Sequence, residues 1–344
     1  MGLALVTVAC GSPSANIDAT PATADTSSST DAASDAPSCV TLPSGALTRI
    51  ATPMLHNGPE AYDFSKTGPR VVLKTGASSY RMWYEAVATN GLTTVGYATS
   101  SDGLSWTKMG IVLSPSAAWE GNEISPNSIA IVGTTMRLYY HGGGNSLPRR
   151  IGVATSTDGM SWTKQASPIV DLGANGAFDD VQVAEPRVFR VGATWRMYYT
   201  GRHGSNGQNS LGLATSSDGL VFTKQATPIL DATRWGNFWG GAFFIDRGSW
   251  HLWRGVTNDN GATSSLYYAS STDGLSWTDG PNNPVLSRNT NTGAADYGFV
   301  GDSVSGYLDG SHYRIMYTGY NANLGGNQGR FEGICEAEIQ SPCP

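Results

Sequence analysis

One nine-residue motif recurs four times along the chain and constrains the fold more than any other feature. It reads SSDGLSWTK from Ser100, STDGMSWTK from Ser156, SSDGLVFTK from Ser216 and STDGLSWTD from Ser271, so its aspartate returns every 55 to 60 residues. A nearly constant period indicates an architecture in which one small unit of secondary structure is repeated.

Each copy of the motif lies among short segments with the pattern of β-strands. Each repeat begins and ends with an apolar segment, and a segment of small residues directly precedes the motif. Four short strands per repeat, with strict alternation in the second, are typical of a β-propeller blade. The alternating second segments are YRMWYEA (80–86), MRLYYHG (136–142), WRMYYTG (195–201) and WHLWRGV (250–256).

The last repeat is incomplete, and the N-terminal part of the chain supplies its missing strand. A fifth copy begins at residues 301–320 but has no fourth strand before the chain ends. The segment LTRIATPML (47–55) closely matches FTKQATPIL (222–230), so we predict that it is the outer strand of the last blade. Such closure removes an open sheet edge. The predicted fold is an all-β, five-bladed propeller of four-stranded antiparallel blades over residues 40–344.

The first 38 residues predict export rather than folding. Residues 1–10, MGLALVTVAC, resemble a bacterial lipoprotein signal with Cys10 as the lipidated residue, although no Lys or Arg precedes the short apolar run. A plain secretory peptide and a disordered end are the alternatives. Residues 11–38 are rich in Ser, Thr, Ala, Asp and Pro and predict a flexible tether. We expect a protein anchored by lipid at the cell envelope or surface, or secreted.

Three cysteines remain if Cys10 carries the lipid. An exported protein meets oxidising conditions, so a disulfide among Cys39, Cys335 and Cys343 is expected. Ring closure would bring Cys39 near the C-terminal segment. We favour Cys39 with Cys343, because Cys335 falls inside a strand.

Charge excludes several classes of partner. The net charge is -6 and the pI is about 5.3, with no basic run, so nucleic acid is not an expected partner. We expect contact with a membrane only through the N-terminal lipid. The chain has no phosphate-binding Gly-rich loop, zinc-type Cys/His spacing or nucleophile elbow, so no cofactor or metal is expected. We also expect a monomer.

Blade topology separates the repeated motif from the expected functional surface. The motif joins the third and fourth strands, and Asp-Gly pairs suit tight turns. We therefore interpret Asp102, Asp158, Asp218 and Asp273 as structural. The functional surface is expected on the opposite face, formed by the loops between blades and between second and third strands.

Acidic residues on that opposite face are the candidates for catalysis. Two carboxyl groups across a funnel can hydrolyse a glycosidic bond when one, with a raised pKa, protonates the leaving oxygen and the other serves as nucleophile or base. Asp63, Glu120, Asp180 and Asp296 recur about six residues before the first strand, which equally fits an acid that caps a turn. The catalytic candidates are Glu185, Asp63, Asp302, Glu123 and Asp180.

Aromatic and polar residues on the same face predict an oligo- or polysaccharide as the partner. Aromatic faces stack on sugar rings, and charged side chains bind hydroxyl groups. A metal held by His141 and His203 is the less favoured alternative to sugar contacts. The expected binding residues are Trp235, Trp239, Arg187, Arg70, Asn127, His141, Arg202, His203, Arg254 and Tyr297.

The blade pattern, with YYTG in the second strand and ATSxDGxxW in the third strand and turn, resembles the clan of furanosidase-type glycoside hydrolases. That clan includes families 32, 43, 62 and 68 and the mannoside phosphorylases of family 130. The resemblance covers residues 45–340 and implies a five-bladed propeller that acts on glycans. Some family 43 enzymes hold an axial calcium, which nothing in this sequence indicates.

The catalytic residues of that clan match this chain only in part. Glu185, before Pro in AEPRVF, matches the acid of family 32. Gly68 stands where that family has its nucleophile, which leaves Asp63 earlier in the loop. Ser125 replaces the middle aspartate, and Gly240 stands at the family 43 acid position.

Three hypotheses follow from this partial match. The favoured one is an exported glycoside hydrolase in which Glu185 is the acid, Asp63 or Asp302 the nucleophile or base, and Glu123 or Asp180 a neighbour that adjusts the pKa. The second is a catalytically silent propeller that binds glycan. The third is a structural or protein-binding propeller.

Overall fold

A computed structural model describes the structure over most of the predicted propeller. The described ranges are 47–50, 54–144, 147–204, 207–246, 248–258, 263–324 and 331–340. The predicted lipid site Cys10 and the predicted disulfide partners Cys39 and Cys343 lie outside them.

Strands dominate the described residues, as expected from segments in which β-branched and aromatic residues alternate with polar ones. The helical elements are 3-10 turns at Ala61–Asp63 and Ala118–Glu120 and a single α-helical turn, α1, at Ala232–Trp235. The strands are β1 (Thr48–Arg49), β2 (Lys66–Gly76), β3 (Ser79–Val87), β4 (Thr93–Ser100), β5 (Thr107–Leu113), β6 (Glu123–Val132), β7 (Thr135–Gly144), β8 (Leu147–Ser156), β9 (Thr163–Lys164), β10 (Gln182–Val191), β11 (Thr194–Arg202), β12 (Asn209–Ser216), β13 (Thr223–Lys224), β14 (Asn237–Asp246), β15 (Ser249–Asn258), β16 (Thr263–Ser271), β17 (Thr278–Asp279), β18 (Leu286–Ser287), β19 (Phe299–Asp309), β20 (His312–Asn321) and β21 (Phe331–Gln340).

Strand pairing confirms the predicted propeller architecture. In the described residues, four antiparallel units follow one another as β2–β5 (blade 1), β6–β9 (blade 2), β10–β13 (blade 3) and β14–β17 (blade 4). A single parallel bridge, Thr93 to Glu123, joins the first two, and β18 pairs with β16. The fifth unit (blade 5) contains β19, β20, β21 and β1.

Closure by the N-terminal strand is also confirmed. β1 pairs antiparallel with β21, with Thr48 opposite Glu338. The contact continues where the backbone N–H of Met54 donates to Ile334 at 2.9 Å. Cys335 is buried within β21, which agrees with the expectation that a strand excludes it from the disulfide.

Apolar side chains fill the spaces within and between the blades in five clusters. The clusters are aromatic-rich, because the alternating second strands send their aromatic residues into the interior. Between blades 3 and 4, for example, the rings of Tyr198 and Phe243 stack with centroids 5.0 Å apart. No helix among the described residues has the length and apolar character needed to cross a membrane.

The repeated motif is a structural turn, as predicted. The Oδ1 of Asp102 accepts the backbone N–H groups of Leu104 and Ser105 at 2.8 and 2.7 Å, and Gly103 takes a φ of 75° that favours glycine. These N–H groups lower the pKa of Asp102 to about 2. The same bonds recur at Asp158, Asp218 and Asp273.

Each turn also binds the neighbouring blade. The Nε1 of Trp83 in blade 1 donates to Gly159 O at 2.8 Å in the turn of blade 2. Tyr139 and Tyr198 make the equivalent bonds from blades 2 and 3 to the following turns, at 2.8 and 3.0 Å. Tyr307 of blade 5 reaches Gly103 O at 3.4 Å. We call these bonds the inter-blade latches.

A buried acid lies in the blade that closes the ring. Glu336 in β21 is 0 % exposed, and its Oε1 is 3.9 Å from the Nε of Arg314. The other ionisable groups around it are Glu338, Asp309 and Tyr307. Burial raises the pKa of Glu336 to about 8 despite the opposing effect of Arg314.

The Glu336→Gln variant should lose a pH dependence of stability. Between its ordinary pKa of 4.5 and about 8, the folded protein keeps a proton that the unfolded chain has released. The free energy of unfolding of the wild type should therefore fall as the pH rises through this window, by on the order of a few kcal/mol. Urea titrations at about pH 5 and about pH 8 measure the difference.

Glu338→Gln is the matched control, because Glu338 lies on the same strand at the surface and pairs with Arg314 at 2.7 Å. This control should retain the wild-type pH dependence. If the free energy of unfolding fell equally between about pH 5 and about pH 8 in wild type and in Glu336→Gln, Glu336 would not be the source of the pH dependence.

Candidate active site

The innermost strands of the blades converge on a central axis. Each inner strand in the described residues carries a break in register, for example between Ala184 and Arg187 in β10. The equivalent positions at the axis are Gly68, Ser125, Glu185, Gly240 and Ser303, so Glu185 is the carboxylate at this level. Their proximity is direct, because a Cβ added to Gly240 would lie 3.4 Å from Glu185 Oε2.

Arg187 fills the axis below Glu185. Its guanidinium donates to the carbonyl oxygens of Arg70 at 2.9 Å and Val304 at 2.7 Å, and also to that of Asn127. These three carbonyls belong to blades 1, 5 and 2, so one buried side chain ties four blades together. Arg187 was predicted to bind substrate; its hydrogen bonds are to the backbone of the protein, which favours a structural role.

The backbone at Glu185 is strained. Its φ of 54° is positive, and within the described residues no other non-glycine residue has a positive φ. A residue other than glycine in this region costs about 1–3 kcal/mol and persists only where the surroundings enforce it. Such strain concentrates at functional sites.

Three side chains hold the carboxylate of Glu185. Its Oε2 accepts from the Nη1 of Arg70 at 2.5 Å and from the Nδ2 of Asn127 at 2.8 Å, and its Oε1 is 4.0 Å from the Nδ1 of His141. The side chain of Glu185 remains 12% exposed. The carboxylate therefore has a fixed orientation, and part of it remains accessible to a ligand.

A second carboxylate, that of Glu85, binds the Nη group of Arg70 that does not bind Glu185. The Nη2 of Arg70 donates to Glu85 Oε2, and Glu85 also accepts from Ser125 Oγ at 2.6 Å and lies 3.4 Å from Lys66 Nζ. Burial alone would raise the pKa of Glu85, but Arg70 and Lys66 hold it well below its ordinary value. Arg70, a predicted binding residue, thus positions Glu185 by bridging two carboxylates.

A third carboxylate lies on the other side of His141. Glu123 Oε1 is 3.4 Å from His141 Nε2, and Arg149 forms a fork on Glu123 with bonds of 2.8 and 2.9 Å. Since one imidazole ring separates Glu123 from Glu185, their contacting oxygens are no more than about 10 Å apart, near the upper end of the separation in glycosidases.

None of these three carboxyls has the raised pKa expected of a general acid. Burial would raise the pKa of Glu185, but Arg70, His141 and Arg187 bring it below its ordinary value. The pKa of Glu123 falls to about 2, since hydrogen bonding and charge from His141 and Arg149 outweigh burial. The prediction that Glu185 is an acid with a raised pKa is therefore wrong for the ligand-free protein.

A cleft of about 570 Å³ opens from Glu123 between blades 2 and 3. Arg149, Asp180, Gln182 and Arg202 provide its polar walls, and Leu147, Pro148, Leu172 and Val181 provide apolar ones. Its volume is in the range of ligand sites. It places two predicted residues, Asp180 and Arg202, near the carboxylates but further out than Glu185.

The recurring acids of the inter-blade loops are structural. Asp63 is fully buried, its Oδ2 is 2.5 Å from Lys108 Nζ, and it accepts from Tyr84 OH at 3.4 Å. The same acid–tyrosine–cation group recurs as Glu120–Tyr140–Lys164, Asp179–Tyr199–Lys224 and Asp296–Tyr317–Arg49.

Two of the predicted catalytic acids have surroundings that differ from those of Glu185. Asp63 is enclosed with Lys108 and Tyr84, which favours a structural role over that of a nucleophile. The equivalent acid in blade 3 is Asp179 rather than Asp180, so the sequence alignment was one residue out. Asp180 instead lies toward the surface, where its Oδ2 is 3.0 Å from Nδ1 of His203, whose side chain is 60% exposed.

Blade 4 has a related group, in which an arginine replaces the tyrosine and an aspartate replaces the cation of the other blades. Arg254 stands at the tyrosine position and pairs with Asp279 at 2.9 Å, where other blades have a cation. Trp235 replaces the loop acid and lies 4.7 Å from the guanidinium of Arg254. Both Arg254 and Trp235 are buried. Both side chains thus complete the interior of the blade, which favours a structural role over the predicted role in substrate binding.

The remaining predicted residues have less defined positions. Tyr297 is partly buried in the turn before β19. Trp239 and Asp302 lie in inner strands β14 and β19, and the positions of their side chains are not described. Within the described ranges, no group of three or more His, Cys, Asp or Glu side chains is arranged to hold a metal ion.

Sequence reasoning placed Glu85 on the functional face but not among the catalytic or binding residues, and it did not assign Arg149 to the site. Glu85 stands at the position of His141 in the second strand of its repeat, and that shared position next to the axis was the available signal. Arg149 belongs to an Arg-Arg pair in β8, where the corresponding strands have small polar residues.

Comparison with known proteins agrees with this architecture. The family model of beta-1,4-mannooligosaccharide phosphorylase matches residues 123–212, about a quarter of the chain. The uncharacterized protein MT1551 of Mycobacterium tuberculosis is 28% identical over 191 residues. That match covers 51% of this chain and 64% of the mycobacterial protein.

Solved structures share the fold at low sequence identity. The BT0996 RGII complex has a TM-score of 0.69 at 16% identity, over 88% of this chain and 94% of that protein. A member of the GH130 family, which contains glycoside hydrolases that target beta-1,2 mannosidic linkages in Candida mannan, has a TM-score of 0.64 at 15% identity, over 87% and 95%.

A third neighbour is Zg3597, a family 117 glycoside hydrolase of the marine bacterium Zobellia galactanivorans. Its TM-score is 0.62 at 15% identity, over 86% of this chain and 90% of that one. These likenesses confirm the predicted fold. With the family match, they are consistent with a divergent member of the propeller clan of glycoside hydrolases and phosphorylases.

The Asp63→Asn variant tests whether this acid is structural. It leaves the buried Lys108 without its charge partner, so the free energy of unfolding should fall by about 3 kcal/mol or more. Denaturant titration measures that loss, and glycan binding by the folded fraction should equal that of wild type. If the Asp63→Asn protein were as stable as wild type but no longer bound glycan, Asp63 would belong to the functional site.

Proposed function

We propose that the protein is a glycoside hydrolase that cleaves an oligo- or polysaccharide at the axial mouth of the propeller, with Glu185 as its central reactive group. The observation that carries this proposal is the strained backbone of Glu185, which holds a partly exposed carboxylate against Arg70, Asn127 and His141. The fold and the family match support the same class of activity.

The charges of the site favour particular roles for its two carboxylates. Glu185 is ionised beside Arg70 and suits a base or nucleophile. Glu123 is the second carboxylate of the pair. Its partner Arg149 is 33% exposed, so a bound glycan can displace it. Losing Arg149 would remove one effect that lowers the pKa of Glu123, and burial would then favour its protonated form.

In the proposed reaction, Glu185 accepts a proton from water, and the water oxygen bonds to the anomeric carbon. The glycosidic carbon–oxygen bond breaks, and its electron pair goes to the leaving oxygen, which takes a proton from Glu123. Inverting enzymes hold their two carboxyl groups roughly 6.5–9.5 Å apart, a range that the upper limit for Glu185 and Glu123 includes, so the reaction is written as a single displacement. Glu185 is the base in this reaction, whereas the sequence analysis predicted it as the acid. A furanoside is the substrate suggested by the clan resemblance.

Binding without cleavage is the second candidate function. All three carboxylates around the axis are ion-paired and have lowered pKa values. That arrangement suits a site that holds sugar hydroxyl groups and does not transfer protons.

We also propose export with lipidation at Cys10 and a disulfide between Cys39 and Cys343. The antiparallel pairing of Thr48 with Glu338 supports the disulfide, because Cys39 precedes Thr48 and Cys343 follows Glu338 in the sequence, on the same side of this pair.

The test is a panel of aryl glycofuranosides, aryl glycopyranosides and polysaccharides with wild type and Glu185→Gln. The substitution should lower kcat/KM by roughly 10²–10⁴-fold, because it removes the base and keeps the shape. Glu338→Gln, on β21 beside the outer strand of blade 5, is the matched control and should keep the activity.

Equal rates in wild type and Glu185→Gln would exclude Glu185 as the base. Binding of a glycan by wild type, with no release of sugar or aryl alcohol from any member of the panel, would favour the second candidate function.

A further inference from the structure

The outer part of the cleft contains an arginine without an ion-pair partner among the described residues. Arg202, at the end of β11, lines the cleft of about 570 Å³. Its Nε is buried and has no hydrogen-bond partner. Its side chain as a whole is half-buried, so the two Nη groups at its tip can donate to whatever occupies the cleft.

The other charged groups along the cleft have partners of their own. Arg149 is bound to both oxygens of Glu123. Asp180 accepts from the backbone N–H groups of Gly176 and Gly204 and contacts His203. Of the two arginines in the described lining of the cleft, Arg202 is thus the one without a carboxylate partner.

The shape of the cleft favours a sugar unit with an anionic group. Leu147, Pro148, Leu172 and Val181 give an apolar surface on which a ring can lie, and Gln182 adds a polar group. Neutral sugar hydroxyls can bond to a guanidinium but leave its charge uncompensated. A carboxylate compensates the charge and matches the fork of two N–H donors.

We propose that this cleft binds an acidic sugar unit, such as a uronic acid, and that Arg202 binds its carboxylate. This inference rests on the proposed function, since it names the class of glycan that the same site receives. The cleft begins at Glu123, so the acidic unit lies beside the bond that is cut and takes no part in the reaction.

The test compares an acidic oligosaccharide with its carboxyl-reduced counterpart, which has the same rings and linkages without the charge. A panel of uronic-acid oligosaccharides and their reduced forms is titrated calorimetrically against wild type, Arg202→Gln and Arg202→Lys. Arg202→Gln should weaken binding of the acidic form by roughly 10–100-fold and change binding of the reduced form less than about twofold. Arg202→Lys should restore part of the affinity.

Arg190→Gln is the matched control, because Arg190 is an exposed arginine on β10 whose guanidinium donates only to the nearby Gly192 carbonyl among the described residues. It should leave both affinities unchanged. Circular dichroism of each variant verifies that the fold is retained.

The outcomes separate this inference from the proposed function. Equal binding of the acidic and reduced forms, or equal effects of Arg202→Gln on both, would overturn the acidic-sugar assignment while leaving hydrolysis open. Binding of the acidic form that depends on Arg202, without cleavage, would support the inference and contradict the hydrolase. Cleavage that requires inorganic phosphate, with Arg202-dependent phosphate binding, would assign the anion to a co-substrate and overturn the inference.

Discussion

One buried guanidinium joins the inner strands, and the arrangement of the site depends on it. Arg187 bonds to backbone carbonyls from three other blades, so it sets how closely their inner strands approach. A buried cation without a nearby anion is costly, and Glu185, two residues earlier on the same strand, supplies negative charge. The strained turn at Glu185 therefore balances the charge of the axis and presents a carboxylate at its mouth.

Repetition explains most of the structure, and the site lies where repetition fails. Blades 1, 2, 3 and 5 share a buried acid, a tyrosine and a cation. In blade 4, Trp235, Arg254 and Asp279 fill the equivalent space. In contrast, the axial positions hold glycine, serine or glutamate in different blades. There the carboxylate of Glu185 meets Arg70 of blade 1 and His141 of blade 2. Function thus resides in differences between equivalent positions on a common frame.

The sequence was sufficient for the fold, because the motif and the alternating strands repeat and the 47–55 segment completes the last unit. It also singled out Glu185, the acid that precedes a proline at an inner strand. It did not show the buried contacts of Asp63, Arg187, Arg254 and Trp235, because their residue types suit both a sugar site and a buried ion pair. Only the positions of partners from distant segments, such as Lys108 and Asp279, distinguish those two roles.

The inter-blade latches have a mechanical consequence. They run from blade 5 to blade 1 and onward to blade 4, and each fastens a turn to the preceding blade. In the described residues blade 5 has no such turn, because its outer strand is β1. The seam between blades 4 and 5 instead contains aromatic packing, the bond of Tyr313 to Asp246 at 2.7 Å and the backbone bond of Leu47 to Val285 at 3.2 Å. Under load, we expect this seam, which has no latch among the described residues, to part before the other four.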